Sequence, residues 1–329
     1  MDVLVLNAEE VTRLLPMPEC IKVMRDALAA LARGEALVPL RTVMRVPGGF
    51  LGLMPGYIAP ARGEGGALAM KAVSVFPGNA KRGIDTHQGA VLLFEADTGR
   101  LCALMDGAAI TAIRTAAVSG VATDVLARAD ADELAILGAG VQARTHTEAI
   151  AAVRPIRRVR IWSRNAEHAA ALASELRPRF QFPIEVAASP EAAVRAADIV
   201  ATVTASAEPI LERSWLKEGV HINAVGSSIP TSREIDTATM AAARLFVDRR
   251  ESALAEAGDL LIAVREGAVT DDHIVAELGD VIIGKEPGRR SPGEVTLFES
   301  LGLAVEDVAS AAHLARRARE TGAGRTVPM

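Results

Sequence analysis

The chain has 329 residues, half of them hydrophobic but only 3% aromatic, and carries a net charge of −5 at pH 7. That length accommodates two domains with substantial cores, built here mostly from Ala, Val, Leu and Ile. The acidic balance argues against a nucleic-acid partner, which calls for a basic surface. Cys20 and Cys102 are too few for a disulfide framework and fit a reducing compartment. The N-terminus does not read as a signal peptide, and no apolar run reads as approaching the ~18 residues of a membrane span. The expectation is a cytoplasmic protein with no membrane partner.

Asn7 followed by Glu10 marks a helix start. Pro16 and Pro18 end that short helix and open another, in which Ile21, Met24, Leu28 and Leu31 recur at helical spacing until Gly34 caps it. Extended segments follow at 41–46, 50–54, 67–75, 90–95 and 101–105, the last two flanking the turn Asp97-Thr98-Gly99. Consecutive strands without long helices between them predict an antiparallel sheet. Asp106 then caps a helix reaching about Leu126.

From Glu133 the pattern changes to alternating strand and helix, with strands at 134–137, 158–162, 184–186, 199–203, 221–225 and 245–247. This is the pattern of a doubly wound parallel sheet. Residues 280–292 read as a Gly/Pro/Arg-rich loop, and 305 to about 320 as a closing helix. The fold class expected is α/β, a Rossmann-type doubly wound parallel sheet plus an α+β domain with an antiparallel sheet. The α+β domain takes 1–119, with 305–329 returning to it, and the nucleotide-binding domain takes 120–304.

The most informative stretch is Glu133-Leu-Ala-Ile-Leu-Gly-Ala-Gly-Val-Gln-Ala143. A short apolar strand runs into Gly138, Gly140 and Ala143, spaced G-x-G-x-x-A, and a helix follows. Gly138 permits the turn, Gly140 lets backbone approach a pyrophosphate, and Ala143 allows close helix–strand packing. Val141 and Gln142 open the helix, whose N-terminus offers free N–H groups and a positive dipole end. The alternative is a merely structural turn. An NAD site usually places an acid at the end of the second strand, but here that strand ends Ser163-Arg164-Asn165. Arg164 could pair with a 2′-phosphate and Ser163 could donate to it, which favours NADP(H) with NAD(H) as the alternative; the plain reading is that Arg164 is solvated. Thr204, Val225 and Gly226 complete the expected cofactor-binding set.

The first domain supplies three cations in unusual settings: Arg114 in an almost wholly apolar helix, Lys71 in the middle of a strand, and Arg41 at a strand start. A buried arginine costs several kcal/mol unless paired. Each alone is commonly a structural ion pair or an exposed charge; together they could clamp a carboxylate. Glu64 and Asp85 are the notable acids nearby in sequence. His87, in a turn before an apolar strand, could relay a proton or simply stabilise its loop. No Cys or His pair has metal-ligand spacing, so no metal is expected.

These residues resemble the ornithine cyclodeaminase/mu-crystallin family over nearly the whole chain. The carriers are Leu53-Met-Pro-Gly56, Met70-Lys-Ala72, Thr86-His-Gln-Gly-Ala-Val-Leu-Leu-Phe94, Met105-Asp-Gly107, Ile110-Thr-Ala-Ile-Arg-Thr-Ala-Ala-Val-Ser119, Gly138-Ala-Gly-Val-Gln-Ala143, Ile222-Asn-Ala-Val-Gly226, Phe246-Val-Asp248 and Thr296-Leu-Phe298. The His-Gln pair, the Met-Asp-Gly segment and the Trp-Ser-Arg strand end look most like the mu-crystallin-type ketimine reductases. The resemblance implies a homodimer, with 1–119 as its dimerisation and substrate domain, and it implies that Arg41, Lys71 and Arg114 face a substrate carboxylate. It also marks Ser228: the resembling cyclodeaminases carry an aspartate there, beside the substrate amine, and serine has no useful basicity near pH 7. Glu234 or Asp236 would have to swing in as a substitute.

The activity expected is an NAD(P)H-dependent imine reductase that forms an amino acid from a cyclic or linear 2-imino acid. Lys71, Arg114 and His87 are its catalytic candidates, and Arg41, Lys71, Arg114 and Ser228 its substrate-binding ones. An alanine-type amino-acid dehydrogenase, a cyclodeaminase and a non-catalytic nucleotide-dependent binding protein are the alternatives.

Overall fold

The computed structural model describes residues 2–60 and 65–328, so Glu64 lies outside the described residues. The chain forms two compact units, Met1–Arg114 with Gly302–Met329, and Thr115–Leu301. In chain order the elements are β1 (Asp2–Leu6), α1 (Ala8–Leu14), α2 (Met17–Ala32), β2 (Ala36–Leu37), β3 (Thr42–Val46), β4 (Gly49–Ile58), β5 (Ala67–Val75), β6 (His87–Glu95), β7 (Leu101–Asp106) and α3 (Gly107–Leu126). Then come β8 (Glu133–Leu137), α4 (Val141–Val153), β9 (Arg158–Trp162), α5 (Ala166–Leu176), β10 (Ile184–Val186), α6 (Pro190–Val194), β11 (Ile199–Thr202) and β12 (His221–Ala224). The chain continues through α7 (Thr237–Ala242), β13 (Arg244–Val247), α8 (Arg250–Glu256), α9 (Gly258–Arg265), β14 (Ile274–Glu277), α10 (Leu278–Ile282) and β15 (Thr296–Glu299), and closes with α11 (Ala304–Thr321) and β16 (Arg325–Pro328).

In the first unit the sheet order is β16-β1-β7-β6-β5-β4-β2, with β3 also on β4. The sheet is mixed rather than antiparallel, because β1 pairs parallel with β7, Leu4 opposite Ala103. A parallel neighbour needs a long connection, and the whole meander between these two strands supplies it. Val3 and Leu6 of β1 are buried, which fastens this short strand to the core. His87 belongs to β6 and not to a turn: it pairs with Val75, because β5 runs on to that residue and its backbone groups need partners. The helix α1 starts at a capping box formed by Asn7 and Glu10. Asp106 accepts a hydrogen bond from the Ala109 N–H (2.8 Å) at the start of α3. At 20 residues, α3 is long and apolar enough by composition to cross a membrane, contrary to the expectation that no run came near that length. Seventy-two per cent of its apolar window is buried inside the protein, the behaviour of a core helix.

The second unit is an all-parallel sheet in the order β10-β9-β8-β11-β12-β15-β13-β14. Both faces are covered. Ala135 and Leu137 of β8 pack into one core with Val200, Ile222 and Leu245. Leu134 and Ile136 pack into the other with Val159, Ile161 and Ile199. Alternate residues of one strand therefore serve opposite cores, which is why the strand is a continuous apolar run. The strands β14 and β15 were not anticipated, and the segment read as loop from 280 begins inside α10. The order reverses direction between β8 and β11, and the ends of those strands are where a doubly wound sheet takes its ligand.

Candidate active site

In the second unit, β8 turns at Gly138 (φ 134°) into α4. A side chain at Gly138 would put its Cβ 2.7 Å from the Val203 carbonyl oxygen, so only glycine fits. Gly140 is the N-cap of α4; no side chain caps this end, and a Cβ there would meet nothing within 4 Å. Its backbone is thus open to a phosphate, and Ala143 is fully buried against the sheet. Val141, half exposed, sits at the helix mouth. The Gln142 carbonyl oxygen lies 2.8 Å from His146 Nδ1, and His146 Nε2 lies 2.9 Å from Ser119 Oγ. Burial pushes the His146 imidazole down to about 4, so it is neutral and structural at pH 7.

At the end of β9, Arg164 is exposed and has no carboxylate partner among the described residues. Asn165 has a structural task, since its side chain accepts from the Glu167 N–H (2.9 Å) and caps α5. Ser163 Oγ accepts from the Asn165 N–H at 3.3 Å. Thr204 follows β11, and Val225 and Gly226 follow β12, where the Val225 N–H donates to the Thr202 carbonyl (3.0 Å).

In the first unit, Lys71 of β5 and Arg114 of α3 are 3% and 4% exposed. The anions that meet them are on α11. Lys71 Nζ lies 2.8 Å from Asp307 Oδ2, Arg114 Nε 3.2 Å from Asp307 Oδ1, and Arg114 Nη1 2.7 Å from Glu306 Oε2. Glu306 also accepts from the Leu303 N–H (3.0 Å) at the start of that helix. Arg41 is half-buried and donates from Nη2 to the Gly302 carbonyl (3.0 Å). Burial first, and the Arg114 charge second, push the Lys71 ammonium down to about 8, while Asp307 opposes the shift. His87 stands exposed at the start of β6, its Nδ1 3.0 Å from Thr86 Oγ1, close enough to Lys71 to feel its charge. Lys71 and Arg114 thus meet two buried carboxylates of α11, and Arg41 reaches the backbone just before that helix, so three cations gather near its start.

The sequence matches the ornithine cyclodeaminase/mu-crystallin family profile over residues 1–322. The chain belongs to the ornithine cyclodeaminase/mu-crystallin family. The mouse ketimine reductase mu-crystallin is 43% identical over 312 residues, 93% of this chain and 94% of the mouse protein. Among solved structures, Thermococcus litoralis Δ1-pyrroline-2-carboxylate reductase, in complex with NADH and L-proline, is 39% identical with a TM-score of 0.95, covering 99% of this chain and 100% of that one. An archaeal alanine dehydrogenase, a dimer with bound NAD, is 31% identical with a TM-score of 0.94 and covers both chains fully.

In this family member, Ser228 is half-buried in the loop after β12. Neither acid considered as its substitute is free to move. Asp236 caps α7 through the Thr239 N–H (2.8 Å) and also accepts from the Arg213 N–H (3.2 Å). Glu234 is fully buried and accepts from Thr204 and Gly226. Glu306 and Asp307 were missed. Their signal was an acidic pair inside the apolar run Leu303-Ala-Val-Glu-Asp-Val308, where exposed acids have no place. Asp85, the acid that was singled out instead, is exposed.

Proposed function

We propose that this chain is an NAD(P)H-dependent reductase of 2-imino acids, acting on cyclic ketimines of the Δ1-pyrroline-2-carboxylate type and releasing the amino acid. The observation that carries this reading is the buried Lys71–Arg114 pair held against Glu306 and Asp307, with Arg41 reaching the Gly302 carbonyl just before the same helix. The substrate carboxylate takes Arg41 and Arg114 as its hydrogen-bond donors. The uncapped α4 N-terminus at Gly140 suits a dinucleotide pyrophosphate, with Gly138, Val141, Gln142 and the Thr204, Val225 and Gly226 loops around the rest. The nicotinamide, when bound, supplies the hydride that reduces the C=N carbon. Lys71, protonated at pH 7, gives its Nζ proton to an imine nitrogen that arrives neutral, and Asp307 keeps it charged for that step. Holding the carboxylate at fixed points orients the C=N group, a positional effect worth up to ~7–11 kcal/mol in ideal systems. His87, at the rim of this cluster, is a second proton carrier.

NADP(H) is the preferred cofactor on this reading, because Arg164 is exposed and uncommitted where NAD sites carry an acid. The active form is a homodimer. Leu37, Val43, Met44 and Val46 expose apolar surface along β2 and β3 at a sheet edge, which a monomer would have to protect. Purified protein given Δ1-pyrroline-2-carboxylate with NADPH or NADH in parallel tests the assignment. Consumption of reduced cofactor with formation of proline supports it. Turnover only with ammonia and an open-chain 2-oxo acid would replace it with an amino-acid dehydrogenase. Light scattering on the same sample reads the oligomer.

A further inference from the structure

The loops after β11 and β12 leave adjacent parallel strands on the edge where the nucleotide is proposed to bind, and one carboxylate joins them. Glu234 Oε1 accepts from the Thr204 backbone N–H and from the Thr204 hydroxyl, both at 2.6 Å. Its Oε2 accepts from the Gly226 N–H at 2.7 Å. Gly226 is there for this approach. A Cβ on it would stand 2.1 Å from the Thr204 carbonyl oxygen and 2.5 Å from Glu234 Oε2. The backbone of Glu234 is held from the opposite side: its N–H and that of Ile235 donate to Asp259 Oδ1 (2.8 and 3.0 Å), in the first turn of α9. Ile210 and Leu211 donate to its carbonyl (2.8 and 3.1 Å).

We propose that Glu234 is a positioning residue for the nicotinamide nucleotide, tying the two strand-end loops together in its ionised form, so that protonating it loosens the nucleotide site. The proposal rests on the reading that this edge binds the nucleotide. Two of the three donors are backbone N–H groups, which cannot accept a proton in return. A proton on Oε2 therefore weakens the Gly226 arm, and a proton on Oε1 competes with the Thr204 N–H, since a carboxyl hydroxyl is a poorer acceptor than a carboxylate oxygen. The titratable groups around Glu234 are mainly acidic: the Asp259 charge on α9 acts on it, and Glu299 at the end of β15 feels Glu234, Asp259 and Asp248, while the cation Arg233, next to Glu234 in the chain, acts on Asp259. No cation forms an ion pair with Glu234, Asp259 or Glu299 among the described residues. Burial and the Asp259 charge push the Glu234 carboxyl up to about 7 against the pull of its hydrogen bonds, so the tie is ionised above neutral pH and lost on mild acidification.

The test is fluorescence titration of the full-length protein with NADH from pH 9 to pH 6. NADH carries no 2′-phosphate to titrate in that range. Wild type is expected to lose affinity about tenfold between pH 8 and pH 6, the change for one group titrating near pH 7. Glu234→Gln keeps the size but faces one N–H with an NH2 group. It is expected to bind about tenfold more weakly at pH 8, and to lose the pH dependence. Melting temperatures of both proteins at pH 8 are measured alongside. A variant with lowered melting temperature but wild-type NADH affinity and pH response makes Glu234 structural only and overturns the proposal. So does a wild-type affinity that is flat from pH 8 to pH 6, which needs no variant to fold. Absence of NADH binding at every pH would instead remove the nucleotide reading beneath it.

Discussion

Replacing Asp307 by asparagine removes one charge from the first unit and leaves Lys71 without its 2.8 Å partner. Both side chains are almost completely enclosed, at 3% and 1% exposure, so water cannot take the carboxylate's place. The same substitution removes the 3.2 Å contact to Arg114 Nε but spares the 2.7 Å pair with Glu306. Breaking a buried pair from one side costs about 3–5 kcal/mol, and urea unfolding of Asp307→Asn should show a loss of that order. The sharper consequence concerns protonation. Lys71 already sits at about 8, and losing an adjacent carboxylate lowers an ammonium by roughly 1–3 units. Lys71 in the variant is then largely neutral at pH 7. If the charged form gives the proton, kcat/KM for a 2-imino acid falls as pH rises through the Lys71 pKa. That descending limb moves to lower pH by the same roughly 1–3 units in Asp307→Asn. Glu306→Gln is the comparison: it weakens the Arg114 pair and lowers stability, but moves the limb less than Asp307→Asn, because Glu306 acts on Lys71 more weakly than Asp307 does. A variant that is destabilised yet keeps its descending limb in place would refute the argument and make Asp307 a purely structural counter-ion.

The remaining predictions are simpler. Arg164→Ala should weaken NADPH binding by ~1.5–3 kcal/mol, the worth of one charge-assisted bond, and leave NADH unchanged; equal losses in parallel titrations would return Arg164 to solvent. L-Ornithine with NAD should yield no proline at a rate comparable to imine reduction, because Ser228 supplies no base and both Glu234 and Asp236 are committed to backbone N–H groups; an ammonia and proline assay decides it. His146 is held at about 4 in the fold against about 6.5 unfolded. The unfolded state therefore takes up its proton first as pH falls, and the stability present above pH 6.5 drains away down to pH 4. Its share is about 3 kcal/mol at 1.36 kcal/mol per unit, and the urea-derived stability difference between wild type and His146→Asn should shrink by about that amount between pH 7 and pH 4.

The second unit was largely legible in the sequence because its signals are local. The strand β8, the turn at Gly138 and the N-terminus of α4 are contiguous, and each step constrains the next. The strands β14 and β15 escaped because four-residue runs such as Thr296–Glu299 follow a Gly/Pro-rich stretch and carry no periodicity of their own. In the first unit, the meander was readable from its turns. The parallel addition of β1 was not, since nothing in Asp2–Leu6 names a partner about a hundred residues on. The cations followed the same division. Lys71 and Arg114 stood out as charges in apolar sequence, but their anions lie 236 and 192 residues away. Acids in the first turn of a helix look ordinary, since the dipole favours them there. Apart from the apolar run around them, only the fold shows that these two face inward.

The return of α11 to the first unit also orders events during synthesis. Residues 1–114 leave the ribosome with Lys71 and Arg114 already in place, but Glu306 follows Arg114 only 192 residues later. Until then a folded first unit would enclose two unmatched positive charges, a state that burial strongly disfavours. The second unit, complete by Leu301, has all its strands before the first has its counter-ions. Ordering of the first unit thus waits on α11. A chain cut short between Leu301 and α11 would carry the whole parallel sheet and a first unit that cannot close, a product suited to rapid degradation.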